Sequence, residues 1–344
     1  MKKTTLLLTG TALALGATSA FAGSHTGSIT AVSWGGAYTV SQIEAYHKPW
    51  TAATGNTVVS EDYSGGIAEV KAQVEAGNVT WDIIDVEKSD AVRGCDEGLF
   101  MEIDPTSLPA GSDGTAAVDD FIPGSFTDCA VANIVWSTIF AYDSSVTTNG
   151  PKTIADFFNV DAFPGKRGLR KSPKANLEMA LAARAFAKLD TIKDMVVWWE
   201  AGAQPPQLLA DGEVAMTTAY NGRIFNAVAG EGKSFEIVWD AQVLDVDMWA
   251  IIKGAPNAEL AMDFLKFSTA TEQLAAQASY IAYGPARKSS APYVTTYHSN
   301  ADLEMGPQMP TAAANLATAI PNDFEFWADN ADELNERFNA WLIN

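Results

Sequence analysis

Two hydrophobic patterns succeed each other along this chain. Short apolar runs rich in Val, Ile and Thr and bounded by Gly or Asp predict buried strands, whereas apolar residues spaced three and four apart predict helices. The predicted strands are 28–32, 57–60, 81–86, 133–142, 214–218, 235–239 and 246–252. The predicted helices are 41–53, 67–75, 153–158, 177–189, 191–200, 257–278 and a closing helix that begins at a capping box formed by Asn330 and Glu333.

This alternation is typical of an α/β fold, in which a mostly parallel sheet carries helices on its faces. A chain of 344 residues also exceeds the usual size of one domain. We therefore expect two lobes with separate cores, with the run 133–142 passing from the first lobe into the second.

The first residues predict export. Met1-Lys2-Lys3 is a basic start, residues 4–18 are mostly small and apolar, and Ala20-Phe21-Ala22 has the small-x-small form of a cleavage site. Residues 1–22 are thus a predicted signal peptide, cleaved near Ala22, and in a double-membrane bacterium the destination is the periplasm. No later apolar stretch approaches the roughly 20 residues of a membrane-spanning helix.

The net charge restricts the class of partner, and the cysteine content predicts a disulfide. A formal net charge of −20 argues against nucleic acid, which needs a basic surface to neutralise its phosphates. It is compatible with a cationic ligand, and equally with an acidic surface that keeps an exported protein in solution. Cys95 and Cys129 are the two cysteines, and an isolated pair in an oxidising compartment predicts one disulfide.

Sequence motifs give little support to an enzyme. The histidines are His25, His47 and His298, and none has the spacing of a zinc site. Neither a G-x-S-x-G elbow nor a Walker loop nor a G-x-G-x-x-G fingerprint occurs. The sequence therefore predicts no catalytic residue, cofactor or metal, and a secreted hydrolase that uses Asp245 and Asp247 is a minor alternative.

Polar and aromatic residues instead cluster just after predicted strands, where open α/β sheets bind their ligands. Asp245 and Asp247 alternate with apolar residues in a predicted strand, so both face one side. Two carboxylates on one face would form an ammonium receptor, because a desolvated ammonium needs charged partners. Solvated loop acids and turn-forming glycines are the alternative interpretation of these residues. The candidates are Trp34, Gly36, Tyr38, Glu87, Tyr220, Asn221, Asp245 and Asp247.

The ordered motifs resemble the periplasmic binding proteins of the spermidine/putrescine type that serve ABC importers. The likeness spans nearly the whole chain after the signal peptide, and each motif alone is weak. The motifs are W-G-G-A-Y at 34–38, W-D-I-I-D at 81–85, C-D-E-G-L at 95–99, V-W-S-T at 135–138, D-F-F at 156–158, F-P-G-K-R at 163–167 and Y-N-G-R at 220–223.

This resemblance implies a type II periplasmic-binding fold, with two α/β lobes, a hinge, and a ligand cleft between the lobes. Residues 27–140 plus 248–295 are the expected first lobe, and residues 141–247 plus 296–344 the second. The implied partners are a polyamine or related small amine and an ABC importer permease. The implied state is a monomer without chemistry of its own.

The same resemblance implies roles for individual residues. Trp34 and Tyr38 correspond to ring contacts from the first lobe, and Tyr220 to the ring of the second. Asp247 corresponds to the acid that binds the amine, with Asp245 near it. Glu87 corresponds to a further contact at a strand end. Trp327 or Glu325 would complete the far wall of the site.

The chain departs from the family's pattern at two places. Arg170, Lys171, Ser172 and Lys174 stand where better-known polyamine binders place acids, and a helical segment is missing between Ala183 and Arg184. The first departure argues against a long di- or triamine and leaves open a ligand with one ammonium and one anionic or polar group. The runner-up ligand is anionic, amino-acid-like or metal-chelated, and is bound by Arg170, Lys171, Lys174 and Arg223.

Overall fold

The computed structural model describes residues 27–180 and 185–343. The predicted signal peptide, residues 1–22, and the junction of Ala183 and Arg184 lie outside the described residues. The strands are β1 (Ser28–Ser33), β2 (Thr57–Asp62), β3 (Ile83–Glu87), β4 (Phe126–Thr127), β5 (Ala130–Asp143), β6 (Arg167–Arg170), β7 (Val196–Trp199), β8 (Met216–Tyr220), β9 (Phe235–Ile251), β10 (Gly284–Pro285), β11 (Thr296–Tyr297), β12 (Asn300–Glu304) and β13 (Ile320–Pro321).

Helices cover the two faces of the sheet. They are α1 (Gly36–Gln42), α2 (Lys48–Thr54), α3 (Ala68–Glu75), α4 (Lys88–Asp96), α5 (Ala117–Asp120), α6 (Ile154–Phe157), α7 (Asn176–Ala180), α8 (Ala185–Asp190), α9 (Gln204–Ala210), α10 (Asn221–Ala229), α11 (Ala258–Ser268), α12 (Thr271–Tyr280) and α13 (Phe324–Ile343).

Two long strands hold the sheet together. β5 and β9 pair antiparallel from Ala130 opposite Ala250 to Asp143 opposite Phe235. At one end of this ribbon the order continues through β3, β1 and β2, and at the other through β8, β6 and β7. Each end of the ribbon thus carries its own half-sheet, and the two halves share two crossing strands.

The buried apolar residues follow the same division. One cluster lies around β1, β3, α11 and the end of β9, and includes Trp50, Trp249 and Phe264. Another lies around the far end of β5, β6 and α13, and includes Phe157 and Phe338. Two cores on one ribbon agree with the α/β architecture that the sequence predicts. We retain the lobe limits given above as a prediction.

The disulfide prediction is confirmed. Cys95, at the end of α4, is bonded to Cys129, just before β5, with their Cα atoms 5.6 Å apart. The bond closes a stretch of 34 residues and ties α4 to the start of the crossing ribbon.

One predicted helix is a strand. The helix predicted over 191–200 is instead a short 3₁₀ turn at Lys193–Met195 followed by β7. β7 pairs in parallel with β6 at the edge of the sheet. Its sequence, V-V-W-W, is β-branched and aromatic, and such residues fit a half-buried pleated surface better than a helix.

Two helix limits also differ from the prediction. The helix predicted over 257–278 is divided into α11 and α12 at Thr269-Ala270. The closing helix begins at Phe324, so the predicted capping box of Asn330 and Glu333 is wrong. Asn330 lies inside α13, where its Nδ2 donates to the Phe326 carbonyl one turn earlier at 2.8 Å.

The strand predictions 235–239 and 246–252 form the single strand β9. The helix predicted over 41–53 starts earlier, at Gly36, and runs through a π-helical segment, Ile43–His47, into α2. Among the described helices, none combines the length and apolar character of a membrane span.

Candidate binding cavity

A cavity of about 240 Å³ lies between the two half-sheets, beside the crossing strands. The loop after β1, the helix α1 and the end of β3 contribute to it from one half, and the end of β8 and the start of α10 from the other. The crossing strands β5 and β9 contribute Trp136 and Asp247. Residues from both half-sheets therefore line the same cavity. Its lining residues are Trp34, Tyr38, Glu87, Trp136, Tyr220, Arg223, Asp247 and Tyr283.

Aromatic rings form most of the wall. Tyr38 packs edge-on against Tyr283 with ring centroids 5.3 Å apart, and Trp136 packs edge-on against Tyr220 at 5.0 Å. Such pairs fix the shape of the wall and exclude water from it. Charged groups in this cavity are therefore poorly hydrated and need a partner from a ligand or from the protein.

Asp247 is one of two acids on the cavity wall, the other being Glu87. It is 4% exposed, and its Oδ1 accepts a hydrogen bond from Trp136 Nε1 at 2.7 Å. Burial raises the pKa of Asp247 well above its ordinary value, and the neighbouring carboxylates Asp85, Glu87 and Asp245 raise it further. A cation in the cavity would favour the ionised form and lower this pKa, so the carboxyl group is placed to bind one.

Arg223 is the cation on the cavity wall. It is 3% exposed, and its Nη2 donates to the main-chain oxygen of Trp34 at 3.1 Å. Its Nε and Nη1 have no hydrogen-bond partner among the described residues. A buried guanidinium with two unpaired donors is suited to a carboxylate, which can accept two hydrogen bonds from it at once.

Gly36 allows the main chain to pass close to this guanidinium. Its φ of 57° lies in the left-handed region, and a Cβ there would meet Arg223 Nη1 at 3.2 Å. Gly36 does not line the cavity itself but a neighbouring pocket on the other side of Arg223.

Asp85 supports the wall from behind. Its Oδ2 accepts hydrogen bonds from Tyr38 Oη at 2.7 Å and from Gln42 Nε2 at 2.6 Å. Burial raises the pKa of Asp85 to about 7, although the hydrogen bonds lower it in part. The side chain fixes the Tyr38 ring and adds negative potential next to Asp247.

Glu87 already has two cationic partners. It accepts a hydrogen bond from Arg170 Nη1 at 3.1 Å and forms an ion pair with Lys174 Nζ. Burial would raise the pKa of Glu87, but the two cations outweigh this effect and lower it to about 2. Glu87 is therefore ionised and neutralised by the protein, unlike Asp247.

Five of the sequence candidates come together in the cavity wall, namely Trp34, Tyr38, Glu87, Tyr220 and Asp247. The others lie elsewhere. Asn221 uses its side chain for the main chain, accepting from Ser137 N at 3.0 Å and donating to the Ala282 oxygen at 2.6 Å.

Asp245 and Trp327 are also directed away from the cavity. The Oδ1 of Asp245 accepts from Val246 N at 2.7 Å, and its Oδ2 accepts from Asn322 Nδ2. Trp327 Nε1 donates to Glu178 Oε1 at 2.5 Å, and its ring lines a larger cleft next to the cavity. Glu325 lies exposed near the start of α13.

Three lining residues were not among the sequence candidates for an amine site. Trp136 belongs to the V-W-S-T motif, and its position in a strand that crosses between lobes was the signal for it. Arg223 was assigned only to the alternative anionic ligand. Tyr283 follows α12 in a buried apolar stretch, and no local pattern distinguishes it from a core residue.

Within residues 27–180 and 185–343, no group of three or more His, Cys, Asp or Glu side chains converges on a point that could hold an ion.

Comparisons with known proteins agree with the fold. A family model described as bacterial extracellular solute-binding protein matches residues 45–311. The γ-aminobutyric acid (GABA)-binding protein of Pseudomonas aeruginosa is 44% identical over an alignment of 333 residues, and the match covers 91% of this chain and 90% of that relative.

Solved structures superpose over almost the whole chain. The PBP MotA from A. tumefaciens B6, in complex with glucopine, is 32% identical, with a TM-score of 0.82 and coverage of 92% of this chain and 99% of that one. A GABA receptor is 29% identical, with a TM-score of 0.77 and coverage of 92% and 97%. The two-lobed periplasmic-binding fold expected from the sequence is thereby confirmed.

Proposed function

Because the chain belongs to the bacterial extracellular solute-binding protein family, we propose that it binds a small zwitterion with an ammonium and a carboxylate at opposite ends. GABA is the first candidate. The protein would act in the periplasm as the substrate-binding component of an ABC importer and deliver the ligand to the membrane permease.

One observation carries this proposal. Asp247 and Arg223 lie on the wall of the same small cavity, and the guanidinium has two buried donors without a partner among the described residues. The ammonium would bind Asp247 and the carboxylate would bind Arg223. Each end of the ligand then replaces its lost hydration with a charged partner, while the aromatic rings contact the methylene chain between them.

The polyamine that the sequence suggested is not part of the proposal. A diamine would place its second ammonium beside the guanidinium of Arg223, and burying like charges together is unfavourable. The alternative of an amino-acid-like ligand, which the basic run at 170–174 had left open, fits both charged groups.

Isothermal titration of the mature protein tests the proposal with four compounds of similar length. GABA carries both charges, butylamine only the ammonium, butanoate only the carboxylate, and putrescine two ammonium groups. We expect GABA to bind with micromolar or better affinity, which corresponds to about −8 kcal/mol. The half-ligands should bind at least about a hundredfold more weakly, because each leaves one buried charge unpaired. Tighter binding of putrescine than of GABA would refute the proposal.

A further inference from the structure

A second, larger cleft lies next to the cavity, since Glu87 lines both. The lining of this cleft carries both signs of charge, with Arg170, Lys171 and Lys174 among its basic residues and Glu200 among its acids, and it includes the ring of Trp327. The side chains beside Glu87 therefore separate the small cavity from a wider cleft.

Arg170 stands at this boundary. It lies at the end of β6, and its guanidinium carbon is 5.8 Å from the ring centroid of Trp34 and 5.7 Å from that of Tyr220. Both rings belong to the small cavity, whereas Arg170 itself lines the cleft. The guanidinium thus covers the gap between two rings of the cavity wall from the outside.

The position of Arg170 is fixed by its neighbours. Its Nη1 donates to Glu87 Oε1 at 3.1 Å, and the Arg170 side chain is only 15% exposed. On its other side, Gly65 approaches so closely that a Cβ there would meet Arg170 Nη2 at 3.3 Å and the Trp34 ring at 2.6 Å. The ion pair and this close packing make the boundary a fixed wall.

The wall stands at the ammonium end of the proposed ligand. Glu87 pairs directly opposite Asp247 across the β3–β9 ladder, so the Glu87–Arg170 pair flanks the carboxylate that would bind the ammonium. A longer chain held by Arg223 would push its ammonium past Asp247 toward a second guanidinium. Binding of a longer ligand is then unfavourable for two reasons: the Arg170 side chain occupies the space, and its guanidinium repels the ammonium.

We propose that Arg170, held by Glu87 between the Trp34 and Tyr220 rings, sets the maximum length of the ligand. The inference rests on the proposed function, since it takes an ω-amino acid as the ligand. With the side chain in place, the site accepts a four-carbon ω-amino acid and rejects longer homologues. Without it, the cavity opens into the wider cleft and longer ω-amino acids enter.

A chain-length series tests this inference. Affinities of 3-aminopropanoate, 4-aminobutanoate, 5-aminopentanoate and 6-aminohexanoate are measured by titration calorimetry for the wild type, Arg170→Ala and Arg170→Lys. The matched control is Lys171→Ala, which removes the adjacent cation. Lys171 lines the same cleft and pairs with Glu200 at 2.9 Å.

The quantity of interest is the ratio of the dissociation constants for the five- and four-carbon compounds. In the wild type and in Lys171→Ala we expect a ratio of about 10 to 200, the discrimination that one methylene produces in a closed pocket. In Arg170→Ala the ratio should fall by at least about tenfold, and Arg170→Lys should keep part of it. A change of fold stability alone would alter all four affinities together and leave the ratio unchanged.

The outcomes separate the two proposals. If the wild type binds none of the four ω-amino acids, the proposed function is wrong. If the wild type prefers the four-carbon compound but Arg170→Ala shows the same length profile, Arg170 does not set the length and the inference is overturned. Arg170→Lys is the substitute in case Arg170→Ala fails to fold. Because Arg170→Lys moves the cation off the rings, an unchanged ratio of dissociation constants in Arg170→Lys also counts against the inference.

Discussion

Replacing Asp247 with Asn removes the charge of the proposed ammonium receptor and little else. The amide has nearly the same shape, and its oxygen can still accept the hydrogen bond that Trp136 Nε1 gives to Asp247 at 2.7 Å. Loss of one partner from a buried, hydrogen-bonded charge pair costs about 2–5 kcal/mol of binding free energy.

The lower part of that range applies here. Burial and the neighbouring carboxylates raise the pKa of Asp247. Ionising Asp247 in the ligand-free protein therefore costs free energy, which reduces the net gain when the ammonium binds. We therefore expect Asp247→Asn to weaken GABA binding by about 30- to 100-fold at neutral pH, at about 1.4 kcal/mol per tenfold.

The pH dependence of affinity provides a second readout. Ammonium binding requires ionised Asp247. As pH rises toward the raised pKa of Asp247, the affinity of the wild type for GABA should therefore increase by up to about tenfold per pH unit. In Asp247→Asn this slope should decrease. It should not vanish, because Asp85 and Asp245, with pKa values of about 7, titrate nearby.

Titration calorimetry at several pH values measures both effects. Asp245→Asn is the matched control, because Asp245 lies on the same strand and also has a raised pKa but does not line the cavity. Asn322 can turn its amide to suit the new side chain, since its own Oδ1 has no partner among the described residues. The reasoning is refuted if Asp247→Asn binds GABA within threefold of the wild type, or if Asp245→Asn loses as much affinity.

Three further predictions follow from the same structure. Arg223→Lys should weaken GABA binding by about 10- to 100-fold in a titration, because an ammonium cannot offer two parallel donors to a carboxylate; equal affinity would show that bidentate binding is not used. Replacing Cys95 and Cys129 together with Ser should lower the free energy of unfolding by about 4 kcal/mol for a closed stretch of 34 residues, as measured by urea denaturation against the oxidised wild type. The ligand-free protein should lose thermal stability as pH rises from about 4 to about 7, because folding raises the pKa of Asp85 and Asp245 from 3.8 to about 7. In this pH range the folded state holds protons that the unfolded chain has released. A melting temperature that rises throughout this window would contradict the assignment.

Local patterns were sufficient for most of the elements and for part of the site. Strand–helix alternation predicted the α/β class, and β1, β3 and β5 lie where the apolar runs place them. The prediction of β7 as helix failed because pairing with β6 decided its conformation. Periodicity within ten residues carries no information about a partner strand that lies elsewhere in the chain.

Charge balance in the site depended on tertiary structure. Glu87 and Asp247 are both buried acids on paired strands, and the sequence assigned both to the ligand. In the folded chain Glu87 is neutralised by Arg170 and Lys174, which follow it by 83 and 87 residues, whereas Asp247 lies in the same cavity as Arg223 and the aromatic rings.

The sequence by itself determined the alternating elements, the disulfide, the resemblance to a family of binding proteins and the aromatic and acidic residues available to a ligand. Only the tertiary structure decided which of those residues share a wall, that a guanidinium with unpaired donors lines the same cavity as Asp247, and that Arg170 lies beside the Trp34 and Tyr220 rings of that cavity. The physical reason is that hydrophobic periodicity is a local property of the sequence. The ionisation and the unpaired hydrogen-bond donors of a buried side chain depend instead on neighbours that the fold brings from distant parts of the chain.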